Sequence, residues 1–331
     1  MSNLEFILIP FILLSVTFGF FGVFKKQKEL MGISIFMLLL LPVTLLLQRD
    51  AGASPDAQQY IYMFESINKF DDVFNAYHGD YFFSFIQFLM VKLGFLPEQF
   101  LLIFSVLILM NFVVGFKLLS DDKRIFLLSI SFFIMTSSFI FMTTNIIRQG
   151  LALSILMVAF GLLQRKEKLA GYLLVLFAIG SHVSAVAVAL CLICARLVGE
   201  PKRYYFLILL SMPLLTLVSQ SLLGFILQNS TKIDSLNSIG YSNSVAYVKV
   251  LLLYLFGWLF YFLGHKYNGF ESRNYHFLFC IYTLLLGIVF IFLPVLFIAS
   301  RYIYYASGML PLLFSFAVYQ RNSMLPIKFR Y

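Results

Sequence analysis

Charged side chains are scarce in this sequence: Asp, Glu, Lys and Arg together supply only 12% of its 331 residues, about half the share usual in soluble domains. Hydrophobic residues supply 61%, including 40 phenylalanines. Several stretches of about 20 residues carry few or no charges, which is long enough to cross the hydrocarbon of a bilayer. This composition excludes an ordinary soluble domain. It predicts an all-α, polytopic integral membrane protein, with residues 1–331 forming a single multi-spanning membrane domain.

Cysteine is scarce as well. The three cysteines, Cys191, Cys194 and Cys280, all lie in apolar segments. An odd number of thiols in hydrocarbon excludes a disulfide framework. Cys191 and Cys194 have CxxC spacing, but no His or acidic residue is adjacent, so the pair indicates helix packing.

Several motifs of nucleotide-binding and hydrolytic enzymes are missing. The chain has no P-loop, no GxGxxG before a helix, no HExxH and no Gly-x-Ser-x-Gly turn. It also lacks a DxD-type carboxylate pair; Asp71–Asp72 and Asp121–Asp122 are adjacent pairs whose side chains diverge, as in solvated turns. We therefore expect no cofactor, no metal ion and no cytoplasmic nucleotide-sugar donor.

Positive charge, by contrast, is in excess. Retention of Lys and Arg in cytoplasmic loops explains the net charge of +9 without a nucleic-acid partner. The basic clusters fall at 25–28, 117–124, 165–168, 196–203, 266–273 and 321–330. If all of them are cytoplasmic, the hairpins between them and the helix before the first predict 11 crossings, with the N-terminus outside and the C-terminus inside.

Three stretches need separate treatment. Leu169 to Leu197 is long for one crossing and short for two. Because a single crossing would place the later basic clusters outside, we predict two short helices broken at Gly180–His182. The apolar run Tyr81 to Leu96 would upset the count if it spanned, so we predict a re-entrant or surface-lying segment on the outer side. The first stretch, Leu4 to Phe24, has neither a basic residue before it nor a small-residue cleavage site, so we expect a retained helix.

Residues 49–98 are predicted to form an outer loop that contains an amphipathic helix. In SPDAQQYIYMFESINKF, Ser54 is typical of an N-cap and Pro55 of a first helical position. The apolar residues from Tyr60 to Ile67 recur at helical spacing and form one face. We expect this helix to lie at the membrane interface.

Polar residues gather at the outer ends of the predicted hairpins. They are Arg49, Asp50, Asp56, Asp80, Arg148, His182, Lys232, Asp234 and Arg301. Arg148, in TTNIIRQGLAL, lies beside long apolar runs, where a charge is costly unless it faces a cavity or a partner. Arginine offers a planar, permanently charged fork for phosphate oxygens, and a nearby carboxylate or imidazole can accept a proton. The set is typical of a site for a phosphate-bearing substrate.

Each of these residues alone has a simpler interpretation. Arg148 fits a lipid-headgroup anchor, and Arg301 fits an anchor in the aromatic belt. His182 fits a packing or loop-capping residue, Asp56 a helix-start charge, and residues 232–234 a solvated loop. The gathering of arginines, a histidine and carboxylates on one face favours the joint interpretation.

Five motifs occur in a recognisable order. They are RDAGASPDAQQY, with Arg49, Asp56 and Tyr60; HGDYFFSFIQFLMVKLGF; IRQGLA at 147–152; SHVSA at 181–185; and SRYIYY near the last predicted helix. This order resembles the EpsG-like branch of the Wzy-type polysaccharide polymerases over residues 1–320, with IRQGLA and SHVSA as the most specific part. Many relatives place a Glu two residues before a glycine where this chain has YHGDY, so Asp80 stands for that acid here.

The resemblance implies a polymerase of GT-C-type architecture that joins undecaprenyl-diphosphate-linked repeat units into O-antigen, capsule or exopolysaccharide at the outer face of the bacterial cytoplasmic membrane. Its substrates would be a lipid-linked glycan donor and acceptor; membrane lipids and the pathway's flippase and chain-length regulator are the other expected partners. The implied catalytic residues are Asp56, Asp80 and His182; those for the diphosphate are Arg49, Arg148 and Arg301; those for the rest of the substrate are Tyr60, Gln149 and Tyr302. Two arginines on the diphosphate would make the reaction independent of metal.

Two other functions remain open on the sequence alone. A flippase or transporter of lipid-linked sugars would need charges deep along a central path, whereas here they lie near the outer rim. A membrane O-acyltransferase acting on a glycan would need a site open to the cytoplasm. The predicted inner face offers only His265 and His276 in a short loop.

Overall fold

Every regular element that the structure describes is helical, which confirms the all-α class. The computed structural model describes residues 55–77, 79–120, 122–197, 204–227, 243–267 and 269–324. Its helices are α1 Pro55–Ser66, α2 Asp72–Ala76, α3 Tyr81–Lys92, α4 Pro97–Leu119, α5 Lys123–Met135, α6 Ser137–Thr144, α7 Ile147–Gln164, α8 Lys168–Ser181, α9 Ala185–Leu197, α10 Tyr204–Leu227, α11 Asn243–Lys266, α12 Arg273–Phe292 and α13 Leu296–Met324. The first predicted helix, Arg49, Asp50, Lys232 and Asp234 lie outside the described residues.

Six of these helices are long and apolar enough to cross a membrane: α4, α7, α10, α11, α12 and α13. The pair α5 and α6, bent by 71° at a short break, would make a seventh. The chain is therefore a multi-pass membrane protein. Helices α3, α8 and α9 are apolar but shorter. The count of 11 crossings and the GT-C architecture stay predictions.

The predicted break in the stretch Leu169 to Leu197 is confirmed. Helix α8 ends at Ser181 and α9 begins at Ala185. Between them His182 is extended, with φ −161° and ψ 123°, and its N–H still bonds to the carbonyl of Ala178. The run Tyr81 to Leu96 contains the 12-residue helix α3. This helix is too short to cross the hydrocarbon by itself.

The helices form two compact units that divide after Ala185. In the first unit, α4 and α7 pack at very short range. A Cβ added to Gly115 in α4 would lie 2.8 Å from the backbone carbonyl carbon of Met157 in α7. Only glycine permits this approach, since no Cβ fits there without moving backbone. The contact fixes α7, the helix that carries Arg148.

Helix α1 begins at Pro55 as predicted, but its apolar face packs on protein. Tyr60, Phe64 and Ile67 are each at most 5% exposed. The Phe64 ring stacks on Phe100 of α4 at 5.1 Å. The apolar face is thus covered by α3 and α4, whose aromatic side chains pack closely against it. The predicted position of this helix at the membrane interface stays a prediction.

In the second unit, buried tyrosines tie helices together through backbone carbonyls. The hydroxyl of Tyr275 donates to Phe260 and that of Tyr282 to Leu253, each at 2.6 Å, so α12 is held to α11. A buried tyrosine needs such a partner for its hydroxyl. All three cysteines are free, as expected.

Candidate functional site

Asp80 is the centre of a buried polar cluster in the first unit. Its side chain is only 2% exposed and accepts three hydrogen bonds. Oδ2 accepts from Arg148 Nη1 at 2.6 Å and from His182 Nδ1 at 3.0 Å. Oδ1 accepts from the backbone N–H of Val183 at 2.9 Å. One carboxylate therefore joins two segments that lie 68 and about 100 residues further along the chain.

Local backbone geometry explains how Asp80 reaches this position. Gly79 has φ +92°, in the region that favours glycine. A Cβ there would also face the Val183 side chain at 3.6 Å. The turn closes with the N–H of Asp80 on the carbonyl of Tyr77 at 3.1 Å. Gly79 thus aims the carboxylate at the α8–α9 break, where the helix has ended and the Val183 N–H is available.

Arg148 is the second residue of α7, and its position depends on the next glycine. A Cβ on Gly150 would clash with the backbone carbonyl of Met142 in α6, so glycine lets the start of α7 approach α6 closely. A cation at a helix N-terminus is unfavourable by itself, because that end already carries partial positive charge. The carboxylate of Asp80 compensates both the charge of Arg148 and the partial positive charge of the helix end. The same helix end, together with Arg148, favours anions.

Two tyrosine rings hold the other side of the guanidinium. Arg148 Cζ lies 4.3 Å from the ring centroid of Tyr77 and 5.8 Å from that of Tyr60. These are cation–π distances. The Arg148 side chain remains 23% exposed. The cluster is therefore accessible at Arg148 and closed at Asp80.

The acids in and near the cluster differ in pKa. Burial acts to raise the pKa of Asp80, but the hydrogen bond from His182, the charge of Arg148 and the Val183 amide outweigh it, and the pKa falls below the usual range. Partial desolvation raises the pKa of Asp56, although its side chain stays exposed, and the charge of Arg148 opposes the rise only in part. Asp80 is thus a stable anion, and Asp56 is more easily protonated.

The structure brings together five of the nine residues predicted for the site: Asp56, Tyr60, Asp80, Arg148 and His182. Gln149 follows Arg148 in α7 and is buried. Arg49 lies outside the described residues.

Arg301 and Tyr302 belong to the second unit, on α13. The Arg301 guanidinium lies 4.7 Å from the ring centroid of Phe297, and the Tyr302 ring stacks on Phe292 at 6.1 Å. On the neighbouring helix α11, the ammonium of Lys249 lies 5.4 Å from the ring of Tyr304. Tyr304 lies one turn after Arg301 on α13, so Lys249 contacts the same stretch of this helix.

Sequence reasoning missed three members of the cluster: Tyr77, Gln87 and Val183. Tyr77 stands in the YHGDY motif, three residues before Asp80. Gln87 is the only amide in the apolar run of α3, and its buried position next to Tyr77 could have been noticed only with the structure. Val183 contributes only its backbone N–H, for which the sequence has no signal.

The described residues contain no group of three or more His, Cys, Asp or Glu side chains that could hold a metal ion. Independence of metal stays a prediction for the chain.

Fold and site together define a class: an all-helical, multi-pass membrane protein with an accessible arginine fixed on a buried carboxylate. Residues 30–329 match the family model described as the EpsG family, and the chain belongs to that family. The resemblance seen in the motifs is confirmed. No curated protein and no solved structure matches the chain. Because the family is associated with glycosyltransferase-like polymerase activity, the chain is a polysaccharide-polymerase-type membrane protein.

Proposed function

We propose that this protein joins undecaprenyl-diphosphate-linked oligosaccharide repeat units into a polysaccharide at the outer face of the cytoplasmic membrane. The observation that carries the proposal is the cluster of Asp80, Arg148 and His182 in a membrane protein of the EpsG family. It combines an accessible cation for phosphate with an imidazole oriented by a carboxylate.

In this reaction a hydroxyl oxygen of the acceptor sugar bonds to the anomeric carbon of the donor. The bond from that carbon to the diphosphate oxygen breaks, and undecaprenyl diphosphate leaves with the electron pair. Negative charge builds on the diphosphate as it leaves. We assign Arg148 to that charge, because a fixed cation that gains strength in the transition state lowers the barrier. Arg49 and Arg301 are further diphosphate ligands in this proposal, and Gln149 and Tyr302 contact the sugars.

The proton of the acceptor hydroxyl needs a base, and we assign it to His182. When His182 Nδ1 donates to Asp80, Nε2 is the basic nitrogen of the ring. Asp80 itself suits this role poorly, because three hydrogen bonds and a lowered pKa make it a weak base. Asp80 therefore orients His182 and Arg148. Asp56, which is exposed, helps to place the acceptor.

No metal enters this scheme, since arginines compensate the diphosphate. Polymerisation should continue in excess EDTA at the rate seen without it. Loss of activity in EDTA that magnesium restores would contradict the assignment.

The deciding experiment uses the purified protein in proteoliposomes, supplied only with lipid-linked repeat units and analysed for glycan length. We expect a ladder of products. A flippase would instead move single repeat units across the bilayer without lengthening them, and an acyltransferase would change their mass by an acyl group. Either result would overturn the proposed reaction.

A further inference from the structure

Three polar side chains next to the Asp80 cluster contain buried atoms that have no hydrogen-bond partner among the described residues. They are the hydroxyl of Tyr77, both amide atoms of Gln87, and Nε of Arg148. Gln87 is 0% exposed and Tyr77 is 4% exposed. Buried polar atoms of folded proteins are nearly always paired, so three such residues at one place need an explanation.

The three residues are neighbours. The Tyr77 ring lies under the Arg148 guanidinium at 4.3 Å. Gln87 lies one turn after Phe83 on α3, and the Phe83 ring packs edge-on against Tyr77 at 5.5 Å. Burial raises the pKa of the Tyr77 hydroxyl, and a contact with the Gln87 side chain opposes that rise. The contact is not aligned closely enough to count as a full hydrogen bond of either side chain. Tyr77 thus connects the amide to the arginine.

A buried amide at position 87 that has only a poorly aligned contact with Tyr77 destabilises the fold. A leucine of similar size would fill the same space in an apolar helix without burying polar atoms. Position 87 therefore carries a side chain that folding alone does not favour. It lies next to Tyr77, the residue whose ring packs on Arg148. Sites of function are where such local conflicts occur.

The chemistry of the unpaired atoms restricts what they bind. Diphosphate oxygens only accept hydrogen bonds and would leave the amide oxygen of Gln87 unpaired. A polyprenyl chain offers neither donors nor acceptors. A sugar hydroxyl or acetamido group both donates and accepts, as the Gln87 amide and the Tyr77 hydroxyl do. The sugar bonded to the diphosphate is also the group that must lie beside Arg148, where the cluster is accessible.

We propose that Gln87 and Tyr77 form a specificity subsite that recognises a hydroxyl or acetamido substituent on the sugar attached to the donor diphosphate. This inference rests on the proposed function, because that function places the diphosphate on Arg148. It adds the part of the site that distinguishes one lipid-linked sugar from another.

The test compares two probes on the full-length protein in nanodiscs: undecaprenyl diphosphate, and undecaprenyl diphosphate carrying one sugar. The variants are Gln87→Leu and Tyr77→Phe. The matched control is Gln164→Leu. Gln164 also has an unpaired amide oxygen, but it lies at the other end of α7, ~24 Å from Arg148 at 1.5 Å per residue. Melting temperature and Kd for both probes are measured for each variant.

We expect Gln87→Leu to melt at or above the wild-type temperature and to bind undecaprenyl diphosphate normally. Wild type should bind the sugar-bearing probe more tightly than undecaprenyl diphosphate. In Gln87→Leu the Kd for the sugar-bearing probe should rise about tenfold, which corresponds to one or two lost hydrogen bonds. Tyr77→Phe should show a similar rise. Gln164→Leu should bind both probes as wild type does.

A lower melting temperature for Gln87→Leu would show that its amide is paired within the fold, through a buried water for example, and would overturn the subsite. An equal loss on both probes would overturn it too, because the amide would then act on the diphosphate or on Arg148. If wild type binds the probes equally, the sugar is not recognised and the inference fails while the proposed function stands. If wild type binds neither probe, the proposed function fails as well.

Discussion

At the scale of single residues, the position of the Arg148 guanidinium distinguishes two interpretations of the sequence, a lipid-headgroup anchor and a substrate-binding residue. An anchor would extend its guanidinium toward lipid headgroups. In the structure Arg148 turns onto Asp80 at 2.6 Å and over Tyr77 at 4.3 Å. This geometry favours a site over an anchor, since a headgroup ligand needs neither a buried carboxylate nor a ring beneath it.

Replacing Arg148 tests that assignment directly. Arg148→Ala should lower the polymerisation rate by roughly 10²–10³, as expected for one lost charge donor. Arg148→Lys should recover little, because an ammonium lacks the planar fork. The measurement is glycan length in cells at matched protein level. Arg165→Ala, at the exposed opposite end of α7, serves as control and should make full-length polymer. Full-length polymer from the Lys variant would restore the anchor interpretation.

Asp80 gives a prediction for pH. Its pKa is lowered in the folded protein, so its ionised form stabilises the fold above the unfolded pKa of about 3.9. That contribution is lost as pH falls through the lower, folded value. Asp80→Asn should cost about 3 kcal/mol near pH 7, toward the low end for a buried pair because Arg148 is partly exposed. Melting curves of wild type and variant should converge in acid below about pH 4. A constant difference at all pH values would mean that the Asp80 charge does not stabilise the fold.

At the scale of elements, the break between α8 and α9 supplies part of the site. The Val183 N–H is available to Asp80 only because α8 has ended. A continuous helix would bond this group internally, and Asp80 would then lose this backbone donor. The break is thus a structural requirement of the cluster.

Val183→Pro removes this N–H, and Val183→Ala controls for the loss of the valine side chain. His182 is already extended, as a residue before proline must be. We expect a roughly tenfold slower polymerisation, because the carboxylate that orients His182 loses about 1–2 kcal/mol of hydrogen bonding. Val183→Ala, which keeps the N–H, should be close to wild type in the same rate assay. Equal rates for the two variants would mean that the backbone bond does not matter.

These elements were accessible to sequence reasoning to different degrees. Basic clusters predicted the α8–α9 break, because their order along the chain limits how often it can cross. Pro55 marked the start of α1, because a proline at a first helical position is a local signal. The pairing of Asp80 with Arg148 across 68 residues was not predictable, since nothing in either segment specifies its partner. Gln87 was missed because a search for charges passes over a neutral amide. The position of α1 at the membrane interface stays a prediction. Periodicity identified its apolar face but could not show that α3 and α4 cover that face.

At the scale of the whole molecule, two units carry different parts of the proposed machinery. The first holds the buried cluster, and the second holds Arg301, with Lys249 nearby. Six or seven helices in the described residues are long enough to span. The orientation of the chain still depends on where its basic clusters lie.

Reporter fusions test this orientation. Fusions after Arg203 and after Arg273 should both report the cytoplasm, because the positive-inside bias retains these clusters there. A fusion within residues 228–242 should report the outside. An external signal after Arg203 would mean that α8 and α9 together cross once, and the inside and outside assignments beyond them would reverse.

The contacts of Asp80 and Tyr77 with Arg148 also have a thermodynamic consequence. A free arginine carries about 2 kcal/mol of rotamer entropy, and here that disorder has been removed during folding. Substrate binding then does not have to restrict the side chain again, which is how preorganisation raises affinity without a new contact. Weakening these contacts, as in Asp80→Asn, should therefore weaken diphosphate binding mainly through an unfavourable binding entropy. Calorimetry at several temperatures would measure that change.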